Sequence, residues 1–199
     1  MEQRSPEWYE ARRHRLTASD FGSAANLPNA YKSRQKLWEI KTGREVIEPN
    51  EFMQYGTDME PFAKFAYENL SGNFVDDVGF VVHPDLDFLG SSPDGLIDTK
   101  SVLEIKCPVK QVHSAISDQF LAQVHGHLAC TQREVGFFFS YHPEAQRLWQ
   151  ISWSQEYWDW LFPLLEEFWT HVVEDTCPPR KSKQKFEGEI EIKLISDEK

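Results

Sequence analysis

Two carboxylates and an ammonium fall within one short stretch: Ser92-Pro93-Asp94-Gly95 is followed, ten residues after Asp94, by Glu104-Ile105-Lys106. The stretch reads as a hairpin. Phe88 to Ile97 and Val102 to Cys107 are rich in β-branched and apolar side chains, and they flank the polar turn Asp98-Thr99-Lys100-Ser101. With that turn, Ile97 pairs with Val102 and Gly95 falls opposite Glu104, leaving Asp94 as a diagonal neighbour within side-chain reach. Glu104 and Lys106, two apart on one strand, share a face, while Leu103 and Ile105 take the other and pack in the core. Carboxylates brought together repel, and a cation between them removes that cost. Hard oxygen ligands beside a phosphate select magnesium or manganese. A lysine next to such an ion can orient and help deprotonate an attacking water, and stabilise charge gathering on the phosphate oxygens. The set fits phosphodiester hydrolysis. Singly, each residue has a plainer reading: Asp94-Gly95 as turn chemistry, and Glu104 with Lys106 as a solvent-facing ion pair.

Upstream of the hairpin the pattern is helical. Ser5-Pro6-Glu7 predicts a capped helix start with proline in the first turn, Thr17 to Asp20 a second start, and Ser33 to Thr42 a helix ending at Gly43. Phe52 to Leu70 reads as a fourth helix whose apolar stripe is Phe62, Phe65, Ala66 and Leu70. Phe74 to Val82 reads as a strand preceding the hairpin. Downstream, Ala115 to Cys130 returns to helical spacing, Glu134 to Tyr141 and Arg147 to Trp153 read as strands, and Gln155 to Val173 as a long aromatic helix. The outline is α/β, with an antiparallel-containing sheet and helices on both sides. Residues 1–177 are expected to form one domain. Beyond Cys177-Pro178-Pro179, residues 178–199 read as a basic linker and a tail whose Glu189 to Lys193 alternates as an edge strand would, a frayed tail being the alternative.

Composition narrows the class. The chain has 199 residues, 40% of them hydrophobic, enough for a real core, and no apolar run long enough to span a bilayer. Three widely spaced cysteines argue against a disulfide framework and suit a reducing compartment. The net charge of -11 argues against a broad basic surface as the means of gripping a polyanion, since proteins that do so are usually cationic. Residues 1 to 50 nevertheless carry nine Lys or Arg against seven Asp or Glu, so any phosphate contact is expected to be local.

Ser92-Pro93-Asp94-Gly95 with Leu103-Glu104-Ile105-Lys106-Cys107-Pro108 resembles the PD-(D/E)xK nucleases, and specifically the lambda-phage exonuclease and YqaJ-type viral recombinase family. The likeness extends to Trp8, Arg12 and Leu16-Thr17-Ala18-Ser19, to Tyr55-Gly56-Thr57-Asp58-Met59-Glu60, and to Ala122-Gln123-Val124. It implies a restriction-endonuclease-like core, a central mixed β-sheet flanked by helices. By the same resemblance Asp94 and Glu104, with the Ile105 carbonyl and Glu60, would hold Mg2+ (or Mn2+), two ions to a site. Lys106 would serve the attacking water, and Gln123 would orient water or phosphate. Arg12 and Ser19, joined by Ser92, would hold a 5'-phosphate, and Met53 would wedge the DNA end. Some of these have other readings: a Thr57-x-x-Glu60 capping box with an irregular helix start at Pro61, a helix-surface Gln123, a buried core Met53. His125-x-His127-x2-Cys130 could suggest zinc, but the spacing spreads the side chains around a helix.

The activity so implied is a Mg-dependent 5'-to-3' exonuclease acting on double-stranded DNA ends and leaving a 3' single strand for recombination. The resemblance further implies a homotrimeric ring, a single-strand annealing partner, and a phage or prophage protein of the bacterial cytoplasm. A PD-(D/E)xK endonuclease, a RecB-like nuclease and a non-catalytic recombination scaffold are the competing expectations.

Overall fold

The computed structural model describes residues 3–48 and 50–198. The chain opens with α1 (Pro6–Arg13), β1 (Leu16–Thr17), a 3-10 turn at Ala18–Asp20, α2 (Phe21–Ala24), α3 (Arg34–Lys41) and α4 (Glu51–Ser71). Four short strands follow, β2 (Val81–Val82), β3 (Leu89–Ser91), β4 (Gly95–Leu96) and β5 (Ser101–Lys106). Then come α5 (Asp118–Thr131), β6 (Val135–His142), β7 (Ala145–Ser152), α6 (Gln155–Val173) and β8 (Ile192–Glu198). Short polar side chains fix the helix starts. Ser5, Ser33, Asn50, Ser117 and Ser154 each accept the backbone N–H three residues on, a cap worth about 1 kcal/mol.

The main sheet runs β4-β5-β6-β7-β8, with β5 and β6 parallel and the other neighbours antiparallel. A parallel pair needs a long crossover, and α5 supplies it. Because β5 alternates, Leu103 and Ile105 pack with Ala63 and Tyr67 of α4 on one face, while Val102 joins Phe120, Val124 and Leu128 of α5 on the other. Both faces of the strand are thus covered. Helix α5 is covered from behind as well, by α2 and α6. Gly126 permits that approach: a Cβ there would sit 2.6 Å from the Cβ of Ala18. A smaller sheet, β1-β3-β2, lies beside the first. Phe88 to Ile97 is therefore not one strand, because Ser92-Pro93-Asp94 breaks it and its two halves serve different sheets.

The remaining differences from the sequence reading have local causes. Phe74 to Val82 contributes only an Asp76–Leu96 bridge and β2, since most of the segment lacks a neighbour to pair with. In α4 the buried ridge is Ala63 and Tyr67; Phe62 and Phe65 are 62% and 67% exposed, on the side away from the sheet. The helix starts at Glu51 under the Asn50 cap and runs through Pro61, so Thr57 caps nothing and instead donates to the Met53 carbonyl. Asp98, Thr99 and Lys100 alone make the hairpin turn: Ile97 N–H donates to Ser101, and Leu96 rather than Ile97 pairs with Val102. Trp149 and Trp158 are buried in the core. The segment after α6 lies along the body, with Asn26 donating to the carbonyls of Lys181 and Ser182, and β8 forms the sheet edge beside β7. Among the described residues, no helix is long and apolar enough to cross a membrane.

Candidate active site

The one-residue change in hairpin register sharpens the site. Gly95 pairs with Leu103, and Asp94, the residue just before β4, lies beside the end of β5 that carries Glu104 and Ile105. The Asp94 N–H donates to the Leu103 carbonyl at 3.0 Å, and its Oδ2 accepts the Ile105 N–H at 2.6 Å. Glu104 and Lys106 face α5, which here supplies polar side chains rather than apolar ones. Glu104 Oε1 accepts from Lys106 Nζ at 2.5 Å and from Gln123 Nε2 at 2.7 Å, and Oε2 accepts from His127 Nε2 at 2.7 Å.

These contacts set opposite electrostatic fates for the two carboxylates. Burial pushes the Glu104 carboxyl up, but the Lys106 charge and the His127 hydrogen bond outweigh it and hold the pKa down at about 2. Asp94 is raised well above the usual carboxylate range by burial, then by the nearby Glu104 and Glu60 charges. Burial acts to lower Lys106, but Glu104, Tyr31 and Asp94 outweigh it and keep the ammonium charged.

At the other end of the site, Ser92 Oγ accepts from the Trp8 indole at 2.9 Å and from Arg12 Nη1 at 3.1 Å. Arg12 Nη2 reaches Ser19 Oγ at 3.5 Å, and the guanidinium stacks 4.1 Å over the Trp8 ring. Burial lowers the Arg12 pKa, with Asp20 the strongest opposing charge. Asp20 is itself held far below the usual carboxylate range, burial being outweighed by Lys41 and Lys32. The 3-10 turn carrying Ser19 is thus anchored from behind by ion pairs of 3.2 Å to Lys32 and 3.0 Å to Lys41.

One cleft of about 770 Å³ joins the two ends. Arg12, Ser19, Met53, Glu60, Ser92, Asp94, Glu104, Ile105, Lys106 and Gln123 all line it. Met53 is half exposed at its rim, so the buried-core alternative for that residue fails. Gln123 is buried, not on a helix surface. Glu60 lines the cleft but pairs with Arg4 at 2.5 Å. Tyr31, Lys32 and His127 also line it and had no place in the sequence reading of the site. For His127 a signal was present, since it follows Gln123 by one helical turn and shares its face. The side chains of the zinc-like spacing diverge: His127 meets Glu104, His125 packs against Trp153 and Tyr157, and Cys130 is buried apart from both.

The residues fit a hard divalent cation. Asp94 is a buried carboxylate whose ionisation is opposed by its neighbours, and the Gln123 Oε1 is buried without a partner. Among the described residues, no three acidic, His or Cys side chains converge as a ready cage. A two-carboxylate floor suits an ion that keeps several of its waters, as magnesium does.

The YqaJ-like viral recombinase domain matches residues 7–134. Among solved structures, the alkaline exonuclease LHK-Exo from Laribacter hongkongensis is 26% identical, with a TM-score of 0.76 over 86% of this chain and 94% of that one. Its complex with dAMP gives 25% identity and a TM-score of 0.77 over the same shares. A phage-related exonuclease from Haemophilus somnus 129PT, 10% identical over 81% of this chain and 96% of that one, shares the fold at a TM-score of 0.64. No curated protein matches the chain.

Proposed function

Because the chain belongs to the YqaJ-like viral recombinase family, we propose that it is a Mg-dependent 5'-to-3' exonuclease that starts at double-stranded DNA ends and leaves a 3' single strand. One observation carries the reading. The Asp94, Glu104 and Lys106 floor shares a single cleft with the Arg12, Ser19 and Ser92 cluster. Hydrolytic groups and a built anion site in one cleft suit an enzyme that cuts near a phosphorylated terminus. The likeness to an alkaline exonuclease supports exonuclease activity.

Asp94, Glu104, Glu60 and the Ile105 carbonyl would hold one or two Mg2+ ions, with Mn2+ able to substitute. The bound metal would supply positive charge against the phosphodiester and make water a better nucleophile. Arg12 offers a two-pronged guanidinium to a terminal phosphate, with the hydroxyls of Ser19 and Ser92 beside it. Lys106, an ammonium beside Glu104, can orient the attacking water by a hydrogen bond and stabilise charge on the phosphate oxygens. Gln123, with one amide oxygen unpartnered, can accept from a water in the cleft. Met53 at the rim is placed to press against the terminal base pair. A homotrimeric ring around DNA, basic inside and acidic outside, would reconcile these contacts with the net charge, and the 3' strand would pass to a single-strand annealing protein.

The test is cleavage of linear duplex with and without a 5'-phosphate, and of a covalently closed circle, in Mg2+ or EDTA. Degradation of the phosphorylated linear duplex in Mg2+ alone is expected, with Lys106→Ala slower by about 10³-fold while still binding DNA. Cutting of the circle would replace this reading with an endonuclease. DNA binding without cleavage in every arm would replace it with a scaffold. Light scattering checks the trimer.

A further inference from the structure

Glu104 is gripped on both oxygens, and the three grips differ in what they leave free. Oε1 accepts from Lys106 and Gln123, which fills both of its lone pairs, whereas Oε2 accepts only from His127 and keeps one. His127 is 1% exposed and Glu104 2%, so bulk water does not compete for that bond.

Among the described residues the imidazole has no other hydrogen-bond partner. Its Nδ1 is buried without a partner, so the hydrogen bond to Glu104 is the one return on burying a polar ring where a leucine would pack. The helix that carries it is held firmly. Gly126, the preceding residue, lies against Ala18 and Phe21, and the ring therefore approaches Glu104 from a fixed backbone. Gln123 and His127, one turn apart, take opposite oxygens of the same carboxylate, which sets the rotation of the carboxylate plane about its bond to Cγ.

We infer that His127 is a positioning residue for the cation site. Its Nε2–H fixes the Glu104 carboxylate plane and leaves one lone pair of Oε2 for a divalent ion. The inference rests on the proposed reading in which Glu104 binds that ion. Groups that orient a metal's ligands typically govern its affinity by about 10- to 100-fold, so the effect should appear in cation binding itself, before any DNA is present.

The experiment measures Mn2+ binding to the DNA-free protein by calorimetry, alongside thermal melting, for the wild type, His127→Leu, His127→Gln and Glu104→Gln. His127→Leu keeps bulk and removes the donor, and should weaken Mn2+ binding about 10- to 100-fold. His127→Gln places an amide N–H at a similar reach and should stay within about threefold of wild type. If His127→Leu does not melt cooperatively, His127→Asn carries the test, because its shorter amide falls short of Glu104 and should lose as much affinity. Wild-type affinity in a folded His127→Leu, or His127→Gln falling as far as His127→Leu, would overturn the inference. Glu104→Gln separates the two levels. If it leaves Mn2+ affinity intact, the cation reading of the site fails and this inference with it. If it abolishes binding while His127→Leu does not, only the role of His127 fails.

Discussion

Helices α4 and α5 press on opposite faces of the same strand, β5, and meet the cleft in opposite ways. From Gln119 to Cys130, α5 is buried at every position but Leu121, and it sends Gln123 and His127 into contact with Glu104. Helix α4 buries only Ala63 and Tyr67, and along the cleft it offers the exposed Phe52 and Met53. A helix covered on all sides cannot shift without disturbing two layers, so polar groups placed on it are pre-organised before substrate arrives. A helix attached by one ridge has surface to spare, and that surface can meet something else. The floor of the cleft is built for fixed geometry and its rim for contact.

Four experiments would break or sharpen this contrast. The largest effect is expected on the floor. Gln123→Leu removes one of the three donors to Glu104, and nuclease turnover should fall about 100-fold with melting temperature unchanged or raised, because the unpartnered amide oxygen goes too. A mild activity loss would mean that α5 is scaffold only.

Next is the pH response of α5. Burial lowers His125 from near 6.5 to about 4, so on acidification the unfolded chain takes up a proton that the folded chain refuses. Stability should drain as pH falls from about 6.5 towards 4, by about 3 kcal/mol across that window. His125→Phe should flatten the curve of denaturant midpoint against pH; an unchanged slope would assign it to other groups.

The smallest effects belong to α4. Met53→Ala should alter preference among DNA ends by several-fold, read in KM with kcat held, and Phe65→Ser should change monomer stability by less than about 0.5 kcal/mol. A large loss of thermal stability in Phe65→Ser at high protein concentration alone would show that the outer face of α4 is covered by another copy.

The same two helices show how far sequence patterns reach. Periodicity placed α5 and α6 well, and the type and order of β5, β6 and β7, because these are long elements with both faces or a full stripe buried. In α4 it placed half of the stripe, Ala66 and Leu70, against the core, and missed with Phe62 and Phe65, which are as apolar as core residues but face away, since spacing cannot say which side a sheet will lie on. The hairpin register slipped by one because Ser101, a turn residue by type, is the first residue of β5. Every residue assigned to the site lines the cleft, but the route was uneven. Asp94, Glu104 and Lys106 were legible from local spacing and Arg12, Ser19 and Gln123 only by resemblance, because their convergence depends on contacts spanning up to 80 residues. His127 looked like a member of a poor zinc motif; its partner lies 23 residues away on a neighbouring strand.

The corner at Ser92-Pro93-Asp94 has a further consequence. Ser92 is tied to Trp8 and Arg12 at one end of the cleft, and Asp94 to Ile105 at the other. Only Pro93 separates them, and two residues of extended chain span about 7 Å at most, with the proline ring locking one of the torsions between. On the proposed reading, the distance from the gripped terminus to the bond that is cut is written into the covalent chain. The corner is then a ruler, and its length does not depend on how tightly the rest of the cleft closes.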